Sequence, residues 1–252
     1  MIEAWLPAEL SLFWALALTT LSFFTSAMTA AFGIGGGVAL ITVLLLILPP
    51  AIVLPVHGVV QAGSNVSRTW LMRESVRWPI AGWFAIGSLA GVLVASSIVV
   101  ALPQRLLQGV LAAFILWSIW SPGFKKRAIS DRGFVAVGAA ATFLTMFLGA
   151  TGPLVAAFWR VEALGRQGVV ATHGAVMSVQ HSLKVIAFGW LGFAFQEWLP
   201  VIAAMVVAGY LGTIAGKHIL ARLPEALFAR LFKWTLTLLA LRLAYAAVFE
   251  LS

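Results

Sequence analysis

The stretch HGVVQAGSNVSR, residues His57–Arg68, recurs 116 residues later as HGAVMSVQHSLK, residues His173–Lys184. Each copy begins with His-Gly, ends with a cation and lies within a strongly apolar sequence. Polar residues on an apolar membrane helix face the interior of the bundle or a water-filled cavity, because exposing them to lipid is expensive. The repeated stretch therefore predicts two related polar helices that line the interior of the fold.

The composition is typical of a membrane protein. Of the 252 residues, 62% are hydrophobic and 10% are charged, whereas soluble domains have about 25% charged residues. The net charge of +8 is typical of basic cytoplasmic loops, so we expect no nucleic-acid partner. The absence of cysteine excludes disulfides and Cys-ligated metal.

Ten apolar segments predict an all-α integral membrane protein. Two of them have only eleven residues, about 16 Å of helix, whereas a crossing needs about 30 Å. Each short segment follows a glycine turn, Gly33–Gly37 or Gly149–Pro153. It either completes the preceding helix or turns back as a re-entrant half-helix. The segments are 8–32, 38–48, 52–72, 79–98, 104–120, 133–149, 153–163, 167–192, 198–218 and 225–249.

The distribution of positive charge favours the re-entrant alternative. If all ten segments alternate in direction, ten cations lie on one side and only Arg105 on the other; if each short helix completes its predecessor, the division is six against five. The positive-inside rule then predicts extracytoplasmic termini and a cytoplasmic basic linker at 125–132. The ten cations are Arg73, Arg77, Lys125, Lys126, Arg127, Arg132, Arg160, Arg166, Lys217 and Arg222.

The repeat extends beyond the two quoted stretches. Each copy holds five segments, an odd number, so the second copy enters the membrane from the opposite side. We therefore predict one membrane domain of two inverted repeats, 1–124 and 133–252, an architecture of many secondary transporters. Matched pairs are Gly33/Gly149, Gly36/Gly152, His57/His173 and Arg68/Lys184 at an offset of 116, and Pro79/Pro200, Gly91/Gly212 and Pro103/Pro224 at an offset of 121.

At these residues the chain resembles the sulfite exporter TauE/SafE family of membrane permeases. The resemblance covers nearly the whole chain and is carried by GIGGG at Gly33–Gly37, GATGP at Gly149–Pro153 and ATHGAVMSVQHSLK at Ala171–Lys184. It implies export of a small anion, such as sulfite or an organosulfonate, across the bacterial inner membrane. With the inverted repeat, it predicts secondary transport by alternating access, with the anion and the lipid bilayer as partners and no cofactor.

The candidate substrate site combines the glycine turns with the polar side chains of the two repeated stretches. These side chains recur three or four positions apart, so each set forms a stripe along one helix face, which we call a polar stripe. A half-helix that begins inside the membrane points unpaired N–H groups and its positive dipole end at the midplane. Glycines let an anion approach that backbone, although close helix packing also uses them. The cations could instead reach lipid headgroups. The candidate residues are Gly35, Gly36, His57, Gln61, Ser64, Asn65, Arg68, Thr151, Gly152, His173, Gln180, His181 and Lys184.

The sequence holds no paired carboxylates, Ser-His-Asp set or H-E-x-x-H motif that would indicate an enzyme. The alternative function is a membrane-embedded metal-dependent enzyme, which would require His57 to meet His173 and His181. The same histidines are candidates for proton coupling or for neutral hydrogen bonding. Tryptophans near segment ends are expected to be interfacial anchors, namely Trp70, Trp78, Trp117, Trp120, Trp159 and Trp198.

Overall fold

The structure is a computed structural model, and its regular elements are all helical. It describes residues 6–98, 129–156, 158–159 and 161–219 together with 106, 109–110, 112–113, 116–117, 120, 234, 237–238, 240–241, 244–245 and 247–249. The predicted segments 104–120 and 225–249, and most of the basic linker, lie largely outside the described residues. The positions described within those two segments are helical.

Eight α-helices have defined bounds. They are α1 (Leu12–Phe32), α2 (Gly36–Leu44), α3 (Pro50–Leu71), α4 (Trp78–Ser96), α5 (Phe134–Leu148), α6 (Gly152–Ala156), α7 (Val161–Trp190) and α8 (Leu199–Ile219). Among the described residues, four stretches are long and apolar enough to cross a membrane, namely Leu12–Phe32, Trp78–Ser96, Asp131–Leu148 and Phe195–Gly216. Helices α3 and α7 are also long, but they are not among these four stretches, because they carry the polar stripes. Helix α7 contains a break at Gly165 (φ 65°, ψ 166°), close to the predicted start at 167.

Helices α1 and α5 end in the same way. Gly33 (φ 80°) and Gly149 (φ 75°) adopt left-handed conformations, which glycine tolerates better than residues with a Cβ. The N–H of Gly33 donates to the carbonyl of Thr29 at 2.8 Å, and the N–H of Gly149 donates to that of Thr145 at 2.9 Å. The matched glycines of the repeat are thus matched helix stops.

After each stop the chain turns back beside the helix it has just left. The N–H of Gly36 donates to Thr29 Oγ1 at 3.0 Å, and a Cβ at Gly36 would overlap the carbonyl oxygen of Thr25. In a continuous helix residue 36 would lie about 16 Å from Thr25. In the second half, Thr151 Oγ1 donates to the carbonyl of Ala141 at 3.2 Å. This reversal is the geometry of a hairpin and differs from that of a broken span.

The two short helices are shorter than the eleven-residue segments. Helix α2 has nine residues and α6 has five. The segment 38–48 is wrong at its end because residues 45–47 form a turn before Pro49–Pro50, and the residue before a proline is disfavoured in helices. Segment 153–163 is wrong because the helix ends at Ala156 and α7 has already begun at Val161.

The helices of the two halves pack in equivalent pairs. Helix α1 packs against α8, α4 packs against α5, and α3 packs against α7 between them. A Cβ at Gly212 would overlap the carbonyl oxygen of Phe23, and one at Gly91 would overlap that of Ala139. Gly212 corresponds to Gly91, and Phe23 corresponds to Ala139, at the repeat offsets. The contacts are thus paired as a duplication would pair them, while the inverted orientation in a membrane stays a prediction.

The outer helices present apolar side chains at the surface. Phe13 is 69% exposed, Leu93 72% and Leu211 52%. Soluble monomers rarely expose contiguous apolar patches larger than a few hundred Å². Helices α1, α4 and α8 therefore have surfaces suited to the hydrocarbon of a bilayer.

Single cysteines will test the orientation that follows from the re-entrant layout. Ala8, Ser97 and Ser130 are exposed positions, and the chain has no native cysteine. An impermeant thiol reagent applied to intact cells should label Ala8→Cys and Ser97→Cys but spare Ser130→Cys, which should react only after the membrane is opened.

The continuous-span alternative predicts a different pattern for the same variants. It places residues 8 and 130 on one side and residue 97 on the other. Labelling that groups Ala8→Cys with Ser130→Cys would contradict the re-entrant layout.

Alanine substitutions will test whether the two helix pairs are equivalent. Gly91→Ala and Gly212→Ala should each destabilise the protein by about 1–3 kcal/mol, because the new methyl group overlaps a backbone carbonyl. Gly82→Ala is the matched control, since a Cβ at this helical glycine meets no atom within 4 Å. Thermal unfolding in detergent should show lower melting temperatures for the first two variants only. A wild-type melting temperature for either would show that its close contact is not tight.

Candidate functional site

A small central cavity lies where the glycine turns meet α3 and α7. Its volume is about 30 Å³, enough to hold ordered water. Residues from both halves of the chain form its wall. They are Thr29, Ile34, Gly35, Gly37, Val38, Gln61, Asn65, Arg68, Ala150, Gly152, Pro153, His173, Met177 and His181.

The structure brings seven of the thirteen candidate residues to this cavity. Gly35, Gln61, Asn65, Arg68, Gly152, His173 and His181 line it. The other six are buried behind its wall, and they are Gly36, His57, Ser64, Thr151, Gln180 and Lys184. The N–H of Gly36 is donated to Thr29, so it is not available to an anion. Sequence reasoning missed Thr29 and Met177, although Met177 occupies the position equivalent to Gln61.

The residues behind the wall hold the glycine turns in place. His57 Nε2 donates to the carbonyl of Gly37 at 2.9 Å. In the second half, Gln180 Nε2 donates to Thr151 Oγ1 at 2.9 Å, and Lys184 Nζ donates to the carbonyl of Gly149 at 3.2 Å. The polar stripes therefore fix the turns that close the cavity.

Each of the two cations packs against the glycine of the His-Gly pair in the other half of the chain, an arrangement that we call the reciprocal seat. A Cβ at Gly174 would lie 3.1 Å from Arg68 Nε, and a Cβ at Gly58 would lie 3.4 Å from Lys184 Cε. Each cation thus lies against the glycine of the opposite half. This reciprocal seat explains why His-Gly and a cation occur together in both stretches.

Both cations are buried, and none of the carboxylates that the structure describes lies beside them. Arg68 is 2% exposed and Lys184 is 0% exposed. Among the carboxylates that the structure describes, Glu9, Glu74 and Glu197 are exposed. Asp131, which is partly exposed, pairs instead with Arg77 at 2.9 Å. The interior around the cavity therefore carries positive charge with no negative side chain to balance it within the described ranges.

Several buried polar atoms have no hydrogen-bond partner among the described residues, and two of them belong to Arg68 and His181, which line the cavity. The atoms are Arg68 Nε, His57 Nδ1, His181 Nδ1 and Thr145 Oγ1. Arg68 also donates through Nη2 to Asn65 Oδ1. An unsatisfied buried polar group costs about 1–3 kcal/mol, so these atoms favour a polar ligand or water nearby.

Comparison with known proteins identifies the family of the chain. The family described as Sulfite exporter TauE/SafE matches residues 18–243. The chain belongs to the TauE/SafE family. Neither a curated protein nor a solved structure matches it. The family is one of membrane-integral transporters, which makes the protein a membrane transporter and gives the bilayer and a small anion as its partners.

In this TauE/SafE protein Trp159 does not lie where the sequence predicts it. Trp159, expected to be an interfacial anchor, is 3% exposed. Its ring stacks on Phe134 at a centroid distance of 5.0 Å, and its Nε1 donates to His173 Nδ1 at 2.9 Å. It also lines a second cavity of about 150 Å³ that contains Arg77 and Asp131. Trp159 therefore separates this second cavity, which we call the vestibule, from His173 at the central cavity.

Of the other predicted anchors, four are exposed and one is buried. Trp70, Trp78, Trp117 and Trp120 are exposed, as anchors would be, whereas Trp198 is only 3% exposed. The prediction is wrong for Trp159 and Trp198 because a position near a segment end can still face another helix.

The histidines do not form a complete metal site in the described part of this TauE/SafE protein. The rings of His57 and His181 lie 5.7 Å apart between centroids, but Nδ1 of His173 is occupied by Trp159. No group of three His, Cys, Asp or Glu side chains occurs among the described residues. The alternative function, a metal-dependent enzyme, therefore has no set of metal ligands to support it among the described residues.

Two glycines that the repeat equates should respond differently to alanine. A Cβ at Gly36 would overlap Thr25 and Thr29, whereas a Cβ at Gly152 would lie at an ordinary 3.4 Å from His173 Nε2. We expect Gly36→Ala to lower the melting temperature. Gly152→Ala should keep the wild-type melting temperature but weaken sulfite binding, measured by calorimetry, because its methyl group fills part of the cavity. The opposite pattern would show that the cavity is not the binding site.

Proposed function

We propose that this protein carries a small oxyanion, such as sulfite or an organosulfonate, out across the bacterial inner membrane by alternating access. The observation that carries the proposal is the pair of buried cations, Arg68 and Lys184. Burying an unpaired charge is strongly unfavourable. A bound anion would supply the counter-charge that the described side chains do not.

The position of the cavity supports the same function. It lies between the halves of the chain, where transporters built from inverted repeats hold their substrates. Arg68 lines it directly, and a guanidinium presents five donors suited to oxyanions. Lys184 lies behind the wall with its ammonium on the carbonyl of Gly149. Arg68 is thus the cation that meets the anion, while Lys184 adds positive potential at a glycine turn.

The size of the cavity supports a change of conformation during transport. The small volume of about 30 Å³ supports a compact state of the site, from which the walls would part to admit a sulfonate. Equivalent contacts in the two halves, such as Gly91 on Ala139 and Gly212 on Phe23, support a mechanism in which the halves exchange conformations. Such an exchange would open the site first to one face and then to the other.

Charge-removing substitutions test the role of the cations. Arg68→Gln should weaken sulfite binding about ten- to a hundredfold, since a hydrogen bond to a charged group contributes about 1.5–3 kcal/mol. Lys184→Gln should weaken it less, because its ammonium does not line the cavity. Arg68→Lys should retain part of the affinity, because it keeps the charge but loses the fork of donors. Calorimetry on purified protein and uptake into proteoliposomes are the measurements.

Arg73→Gln is the matched control. It removes the same charge from an exposed side chain that lies over Trp70 at 5.1 Å, so binding should match that of the wild type. If Arg68→Gln binds and transports sulfite as well as Arg73→Gln, the buried cations have a structural role only, and the anion function is wrong.

A further inference from the structure

The hydrogen bond between Trp159 and His173 fixes where the imidazole carries its hydrogen. An indole N–H can only donate, so Nδ1 of His173, 2.9 Å away, must accept. In a neutral imidazole one nitrogen accepts and the other carries the hydrogen. The hydrogen of His173 is therefore on Nε2.

Nε2 of His173 faces the central cavity. It lies on the side of Gly152, where a Cβ would come within 3.4 Å of it, and both residues line the cavity wall. No hydrogen-bond partner for Nε2 is found in the part of the chain that the structure describes. The N–H donor of a side chain that is only 3% exposed is therefore directed at the place that the anion would occupy.

We propose that His173 Nε2–H is a second hydrogen-bond donor to the anion, and that Trp159 is the positioning residue that holds it in this tautomer. The inference rests on the anion function proposed above and adds to Arg68 a neutral donor on the opposite helix. The stack of Trp159 on Phe134 fixes the indole, and the indole fixes the imidazole ring.

The neighbouring groups extend the inference to the class of substrate. Arg68 has donors only. The side-chain oxygen of Asn65 accepts from Arg68, and its Nδ2 donates to the carbonyl of Gln61 at 2.7 Å. Arg68, Asn65 and His173 therefore present hydrogens on their side of the cavity, while His181 on the wall beside them keeps Nδ1 without a partner among the described residues. Donors grouped in this way suit the oxygens of an oxyanion.

The equivalent histidine of the first half cannot take this role. His57 Nε2 already donates to the carbonyl of Gly37 at 2.9 Å, and His57 does not line the cavity. The position equivalent to Trp159 is Val43, which has no N–H to offer. The two halves thus differ at this histidine, and only the second-half copy can serve as the donor.

A pair of amide substitutions tests which nitrogen of His173 matters. The amide of glutamine reaches the position of Nε2 and can donate to the anion, whereas the amide of asparagine reaches only the position of Nδ1. We expect His173→Gln to bind methanesulfonate within about threefold of the wild type. His173→Asn, which can still accept from Trp159, should bind it about tenfold more weakly, because one hydrogen bond to an anion is lost. Equal affinities, or the reverse order, would overturn the assignment of Nε2 as the donor.

Trp159→Phe tests the positioning role. Phenylalanine keeps a ring on Phe134 but removes the N–H, so the nitrogen resonances of His173 in ¹⁵N-histidine-labelled protein should change and methanesulfonate affinity should fall severalfold. The His173 signals are assigned by their absence in His173→Gln. Trp198→Phe, at an equally buried tryptophan, should alter neither. A wild-type spectrum with the hydrogen on Nδ1, or a Trp159→Phe variant with unchanged resonances and affinity, would overturn the proposal.

Arg68→Gln, measured beside these variants, separates the two proposals. If it binds methanesulfonate like the wild type, the anion function itself fails. If it binds weakly while His173→Gln and His173→Asn are indistinguishable, the anion function stands and the role of His173 fails.

Discussion

The burial of two positive charges is the constraint on which the rest of this structure depends. A guanidinium and an ammonium in an apolar interior lose the solvation of water, and the described part of the chain places no carboxylate beside them. The protein reduces this loss with backbone carbonyls and amide side chains, as at Gly149 and Asn65. The glycine turns, the polar stripes and the central position of α3 and α7 all follow from the need to surround these charges with dipoles.

The sequence revealed the features that a local pattern encodes. Helix stops at Gly33 and Gly149 were visible because a left-handed residue after an apolar run favours glycine. The polar stripes were visible because side chains three or four positions apart share a helix face. For the same reason, seven candidate residues from four separate stretches do meet at one cavity.

Other features depend on contacts between distant parts of the chain, and a single sequence does not display them. Nothing near Gly36 indicates that its backbone fits against Thr25, or that the equivalent Gly152 has space. The seat of Arg68 on Gly174 crosses from one repeat to the other. Trp159 was misjudged because a tryptophan at a segment end has the same local sequence whether it meets lipid or a histidine. Duplication shows which positions correspond, but it does not show which of them remained alike.

The vestibule makes the two ends of the pathway unequal. Trp159 lies between that space and His173, so a route opened past the indole would break its hydrogen bond to the imidazole. The equivalent position is occupied by Val43, an aliphatic side chain that can move without breaking a hydrogen bond. A carrier whose two gates differ in the free energy needed to open them favours one resting state over the other. A single aromatic residue is therefore enough to give the two ends of a nearly symmetric protein different barriers to opening, while the direction of net transport follows the gradient of the substrate.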